Sequence, residues 1–275
     1  MTWWAVDVAA APERRETVAA WLVAVTGQAI EEREDGTLVT FAESEADADS
    51  LITALAHQHD TRATRRPLDR VDWSIRWREG IGPRRFGRLT VTPSWIQPHE
   101  NDGCVVVLDP ETAFGSGEHG STRAALALLE RRVALGDRVL DLGSGSGILS
   151  ISAVKLGAAR ATGIEIDLEA NEIAARNAER NGVSAFTSFI HGDAADLAPL
   201  LGPADLLFSN ILRSVNVLLL PAIHASLRPD ATAIFAGMEV TEADEFRTAL
   251  VQGGFKPVEE VVDTGWWAVA ARRVP

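Results

Sequence analysis

Val139-Leu140-Asp141-Leu142 runs straight into Gly143-Ser144-Gly145-Ser146-Gly147, and residues 148–155 then take up a helical pattern. A buried strand, a glycine turn and a helix make a ligand-binding corner. The glycines remove Cβ atoms that hold a ligand off the backbone, and the helix start exposes unpaired N–H groups. A dinucleotide corner spaces its glycines Gly-x-Gly-x-x-Gly to seat a pyrophosphate. Here the spacing is Gly-x-Gly-x-Gly, with Asp141 in front. That carboxylate repels a diphosphate and suits the ammonium of a methionine moiety, held directly or through water. Asp141, Gly143, Gly145 and Gly147 therefore point to S-adenosylmethionine, although such a loop by itself also serves as a plain strand-to-helix turn.

The next strand pattern, 161–166, carries Glu165 near its end, about 20 residues after the first glycine, where a carboxylate can accept both ribose hydroxyls. Asp167 shares its strand face and competes for that role; Glu165 is preferred. Asp193, in His191-Gly192-Asp193-Ala194, follows the strand after that and is a candidate for the adenine amino group. A lone Asp in a turn has a simple local use, so its place in the series Asp141, Glu165, Asp193 is what favours ligation.

Around this corner the pattern is α/β. Strand signals near 104–108, 138–142, 160–166, 186–190, 204–209, 231–237, 255–262 and 265–272 alternate with helical periodicity over 121–132, 147–156, 168–181, 214–227 and 242–253. βαβ spacing predicts a doubly wound, mostly parallel sheet. The last two strands are joined by Asp263-Thr264-Gly265, too short for a crossover helix, so that pair must be antiparallel. A seven-stranded sheet ending in such a hairpin resembles the class I S-adenosylmethionine-dependent methyltransferases.

Residues 67–103 read as a connector, with Trp73 and Trp77 on one helical face for packing and a strand signal at 88–92. Residues 1–66 alternate strand and helix signals, with a hairpin at Asp35-Gly36, in the order βαββαβ of a ferredoxin-like unit. The division predicted is 1–66, a small α+β domain; 67–103, a linker helix and connector; and 104–275, the catalytic domain.

Composition narrows the chemistry. With 275 residues, 46% of them hydrophobic and 24% charged, the chain belongs with ordinary globular proteins. One cysteine, Cys104, excludes an internal disulfide, no Cys/His cluster has zinc spacing, and no metal is expected. Lys and Arg number 26 against 39 Asp and Glu, a net charge of −13 that repels a nucleic-acid backbone and suits a cationic substrate, or serves solubility alone. The start lacks a basic leader region, and no apolar run approaches the roughly 18 residues of a membrane span. A cytoplasmic protein with neither membrane nor direct nucleic-acid contact is expected.

Two further segments carry the specific signal: Asp109-Pro110, then Ala113-Phe114-Gly115-Ser116-Gly117-Glu118-His119-Gly120-Ser121-Thr122, and Ser209-Asn210-Ile211-Leu212. With the glycine corner and the connector's Asp72-Trp73, Trp77-Arg78-Glu79 and Pro93-Ser94-Trp95, they resemble the PrmA family of ribosomal protein methyltransferases, which modifies large-subunit ribosomal protein eleven. The resemblance is best from 72 to 237; residues 1–66 match in layout. It implies that residues 1–66 recognise substrate, that Phe114, Gly115, Ser116 and Ser121 line the cofactor, and that Asn210, Phe114 and Ser121 serve the transfer. Ser116 and Ser121 each stand where the family has Thr, keeping a hydroxyl and losing a methyl. After Leu212 the family continues Ala-Gly-Pro, whereas this chain has Arg213-Ser214-Val215-Asn216.

In that site the acceptor amine has to be positioned and uncharged. Phe114, Ile211 and Leu212 supply apolar walls, and the Asn210 side-chain oxygen can accept an N–H bond that aims the lone pair. His119 and Glu118 are candidates for taking the proton, with a structural hydrogen bond favoured for His119. Asn-Ile-Leu lacks the proline and aromatic ring that stack on a planar acceptor, which disfavours a nucleobase. The expected activity is methylation of lysine side chains, and possibly an N-terminal amine, of ribosomal protein eleven. The alternatives are a related enzyme redirected to another protein or a small amine, a non-catalytic cofactor-binding module and, more distantly, a nicotinamide oxidoreductase.

Overall fold

Apolar residues alternate along β1 (Trp3–Ala9), so Trp4, Val6 and Val8 turn to one face of the sheet and Trp3 and Ala5 to the other. On the first face they meet Val18 and Leu22 of α1 (Arg15–Thr26), then Ala48, Leu51 and Leu55 of α2 (Glu45–His59). Strands β2 (Glu31–Glu32), β3 (Leu38–Ala42) and β4 (Arg62–Leu68) complete a sheet in the order β2-β3-β1-β4, every neighbouring pair antiparallel. That is the split βαββαβ order expected from the alternation of signals. The computed structural model describes residues 3–26, 30–33, 35–59, 61–68, 82–99, 102–109 and 113–274. Trp73, Trp77 and the rest of 69–81, with Pro110, Glu111 and Thr112, lie outside the described residues. The chain divides into two units, Met1–Ile81 and Gly82–Pro275.

In the second unit, β5 (Arg84–Phe86), β6 (Leu89–Thr92) and β7 (Cys104–Val107) form a separate three-stranded sheet. This corrects the expectation that the strand near 104–108 opens the large sheet. A four-residue apolar run does not specify which sheet it joins. Here Cys104–Val107 pairs parallel with Leu89–Thr92. Both backbone polar groups of Val107 are satisfied by the Asn181 side chain, at 2.8 and 2.7 Å. Part of the segment read as a connector thus belongs to the second unit.

The large sheet contains β8 (Arg138–Leu142), β9 (Arg160–Glu165), β10 (Thr187–His191), β11 (Ala204–Asn210), β12 (Leu227–Glu239), β13 (Phe255–Asp263) and β14 (Trp266–Arg273). Their order is β10-β9-β8-β11-β12-β14-β13. The first five are mutually parallel, and β14 runs antiparallel to both its neighbours. The helices are α3 (Gly120–Arg132), α4 (Ile148–Lys155), α5 (Leu168–Arg180), α6 (Ala194–Leu201), α7 (Arg213–Ser226) and α8 (Ala243–Gln252). One core packs Leu126, Leu129 and Ile151 against Phe208 and Ile234; the other packs Leu219, Ile223 and Phe246 against Leu207, Phe235 and Trp267. Cores on both faces make the sheet doubly wound. Helix α6 had no counterpart among the expected helices: it is eight residues long with Pro199 inside, too short and interrupted for a periodicity signal.

Candidate functional site

Strand order reverses at β8, between β9 and β11, and a crevice opens there at the carboxyl ends of the strands. The cleft has a volume of about 560 Å³, within the range of small-molecule sites. Of the expected residues, Phe114, Ser121, Gly143, Gly145, Glu165, Asp193 and Asn210 line it. Gly115, Ser116, Asp141 and Gly147 are not among the lining residues; they build its support.

The glycine turn and the segment at Phe114 are in backbone contact. Gly145 has φ +50°, and a Cβ there would lie 2.6 Å from the Phe114 carbonyl oxygen. That oxygen accepts from Ser146 N–H at 2.9 Å, and Ser146 Oγ donates to the Gly115 carbonyl at 2.7 Å. Gly147 is the N-cap of α4, and its missing side chain makes room for Phe189 and Ala174 rather than for a ligand. Ser116 Oγ accepts from Glu118 N–H at 3.2 Å within its own loop.

Asp141 is buried beneath the turn, where its Oδ2 accepts from Ser150 N–H at 3.1 Å and Ser150 Oγ–H at 2.8 Å. Its Oδ1 is buried without a partner. Burial raises the pKa to about 7; the Ser150 hydrogen bonds oppose the rise and the charge of Glu165 adds to it. Glu165 Oε2 accepts from Gly145 N–H at 2.9 Å, and Oε1 from Ile166 N–H at 2.8 Å and Asp167 N–H at 3.1 Å. Two oxygens so held keep further lone pairs for a ligand. Asp167, the alternative to Glu165, instead caps α5 through Glu169 N–H at 2.9 Å. Asp193 likewise caps α6 through Ala195 N–H at 2.8 Å while also lining the cleft.

At the other end, Asn210 Nδ2 donates to Thr122 Oγ1 at 3.3 Å and its Oδ1 is buried with no partner. His119 is the N-cap of α3: Nδ1 accepts from Ser121 N–H at 3.4 Å and lies 2.8 Å from Ser121 Oγ. Its ring stands between Phe114, centroid distance 5.2 Å, and Trp266, 4.3 Å. Burial, and secondly the positive charge of Arg123, lower its pKa below the usual imidazole value, which favours the neutral ring. Glu118 is paired with Arg84 at 2.6 Å and does not line the cleft.

Trp266 was missed as a lining residue. It opens β14 after the Asp263-Thr264-Gly265 turn, and an aromatic at a hairpin tip was the available signal. Arg123 holds that turn in place, donating to Asp263 at 2.5 and 3.0 Å, to Thr264 Oγ1 at 2.8 Å and to the Glu118 carbonyl. Ile166, Leu212 and Val215 form an apolar rim, 72%, 69% and 39% exposed. Among the described residues no group of three or more His, Cys, Asp or Glu is arranged to hold a metal.

The cleft thus joins an acidic, glycine-floored end to an amide and aromatic end. Among the buried oxygens without a hydrogen-bond partner are Asp141 Oδ1 and Ser144 Oγ at the glycine turn and Asn210 Oδ1 at the opposite end. That donor-seeking set fits a cationic nucleoside with an amino-acid tail, S-adenosylmethionine. Glu165 and Asp193, which line the cleft, would take the ribose and the base, and Asp141, enclosed behind the glycine turn, would act on the ammonium through its charge or a bridging water.

The family described as Ribosomal protein L11 methyltransferase (PrmA) matches residues 5–274. The protein of that name from Pelotomaculum thermopropionicum is 37% identical over 209 residues, covering 75% of this chain and 67% of the relative. The one from Pseudomonas paraeruginosa is 32% identical over 298 aligned positions, covering 99% of each. Among solved structures, a ribosomal protein L11 methylase from Lactobacillus delbrueckii subsp. bulgaricus superposes with a TM-score of 0.64 at 30% identity, covering 70% of this chain and 100% of that one.

Proposed function

Because the chain belongs to the ribosomal protein L11 methyltransferase (PrmA) family, we propose that it transfers methyl groups from S-adenosylmethionine to lysine side chains, and to the N-terminal amine, of large-subunit ribosomal protein eleven. When bound, S-adenosylmethionine supplies an electrophilic methyl carbon that a neutral amine attacks in line. The chain's own residues hold, orient and dry the acceptor. A free lysine, pKa about 10.4, is almost wholly protonated at neutral pH, so its ammonium must be stripped of water and lose a proton. Ile211, Trp266 and Phe114 favour the uncharged form, and Asn210 Oδ1 accepts one of its N–H bonds. His119, its pKa lowered by burial and its Nδ1 lone pair already taken by Ser121 N–H, adds no repulsion to the incoming cation, and the proton is left to water. The observation that carries this reading is the buried, unpartnered Asn210 Oδ1 at one end of a cleft whose other end is walled by Glu165.

The ferredoxin-like residues 1–66 are proposed to recognise the ribosomal protein, residues 67–103 to connect, and residues 104–275 to catalyse. The net charge of −13 suits a basic protein rather than nucleic acid. No helix among the described residues is long and apolar enough to cross a membrane, and the cytoplasm is the proposed location.

The test is mass spectrometry of ribosomal protein eleven after incubation with the chain and labelled S-adenosylmethionine. Label is expected on lysine and N-terminal amines. Asn210→Ala should lower kcat by about 100-fold, the scale of a lost orienting contact, while leaving cofactor affinity within a few-fold. Label on another residue type, or equal losses in kcat and cofactor binding, would refute the assignment.

A further inference from the structure

Asn216, near the start of α7, is completely buried. Its Oδ1 accepts from Ser209 Oγ–H at 2.6 Å, and its Nδ2 donates to the carbonyls of Ile211 at 3.0 Å and Ala236 at 3.1 Å. Ser209 immediately precedes Asn210, Ile211 immediately follows it, and Ala236 is its register partner on β12. One carboxamide thus brackets Asn210 on three sides. A buried amide satisfied at every contact is rigid, and an apolar residue in its place leaves two carbonyls and a hydroxyl without these bonds.

The turn is packed closely on two sides. Gly237, at φ +84°, lies flat against the Ile211 peptide, where a Cβ would overlap the backbone. On the other side Ile211 Cγ2 fills the space a Cβ on Gly143 would need, 2.6 Å away. Arg213 forks to Glu242 at 3.1 Å and Glu245 at 2.7 Å, tying the following residue to α8 and the turn before it. Arg213 takes the first of the three positions after Leu212 where the resembling family has Ala-Gly-Pro, and Asn216 follows directly on that segment.

We infer that Asn216 is a positioning residue for methyl transfer: by holding the peptide groups on both sides of Asn210, it sets the direction in which Asn210 Oδ1 meets the acceptor amine. The inference rests on the reading of Asn210 as the acceptor-orienting group. Side-chain direction follows the backbone that carries it, and a displacement near 1 Å at a reacting centre costs on the order of 100-fold in rate.

The test is a double-mutant cycle on the full chain with Asn216→Ala and Asn210→Ala, read as kcat with both substrates saturating and as cofactor affinity by calorimetry. Alone, Asn216→Ala should lower kcat between about 10-fold and 100-fold and leave cofactor affinity within about twofold. In the Asn210→Ala background it should lower kcat no further than about twofold, because its effect passes through a group already removed. Losses that multiply would overturn the inference and leave the role of Asn210 intact. An Asn210→Ala variant as fast as wild type would overturn the parent reading as well. Should Asn216→Ala fail to fold, Ser209→Ala removes one of the three bonds; it should show a smaller kcat loss with the same dependence on Asn210, and multiplying losses there would equally overturn the inference.

Discussion

Replacing Asp141 by Asn should make the protein more stable at pH 8 and leave it unchanged near pH 4. Asp141 is fully enclosed, and its pKa rises from 3.8 to about 7 in the folded chain. In the unfolded chain it titrates near the usual value of about 3.9. Between those values the folded state keeps a proton that the unfolded state has released, so unfolding stability falls as pH rises, by about 1.4 kcal/mol per unit. Over three units the loss reaches about 4 kcal/mol and then levels off above pH 7. Asparagine reproduces the protonated carboxyl: its oxygen can accept the same two bonds from Ser150, and its NH2 lies where Oδ1 is already unpartnered. The assay is urea unfolding of both proteins from pH 4.5 to 8, following the transition of the Gly82–Pro275 unit with the slope m compared between them. Subtracting one protein from the other cancels every other titrating group. A gap that does not grow with pH, or a wild type more stable than the variant at pH 8, would refute the argument.

Cofactor binding should report the same carboxylate: if Asp141 must ionise to meet an ammonium, affinity for S-adenosylmethionine weakens about tenfold per unit below pH 7. A calorimetric affinity flat from pH 5.5 to 7 would contradict this. Gly145→Ala combines φ +50°, strained by about 1–2 kcal/mol for an L-residue, with a Cβ 2.6 Å from the Phe114 carbonyl. It should raise the cofactor Kd at least tenfold on the same instrument, and wild-type affinity would show the turn to be adaptable. Arg123→Met removes the charge that helps hold His119 below its usual pKa. The His119 ring should then titrate at higher pH by NMR, and an unmoved midpoint would assign the whole depression to burial.

Features that depend on local spacing are legible in the sequence. The strand, glycine turn and helix at 139–155, Glu165 at the end of the next strand and the βαββαβ order of 1–66 all follow from periodicity and turn chemistry that neighbouring residues impose on one another. The antiparallel final pair was equally readable, since a three-residue link permits nothing else. What a spacing does not encode is where a strand goes once formed. The last strand inserts between β12 and β13, which carries Trp266 to the cleft, and Cys104–Val107 leaves the large sheet for Leu89–Thr92. Acid residues behaved the same way. Asp141, Asp167 and Asp193 look alike in sequence, yet one is enclosed, one caps a helix, and one caps a helix while facing the cleft. The sequence by itself determined which elements form and which residue types reach the strand ends. The tertiary structure alone decided which carboxylate loses its water and which amide, Asn216, closes around Asn210. Desolvation and buried hydrogen bonding depend on atoms distant in the chain that only packing brings within reach.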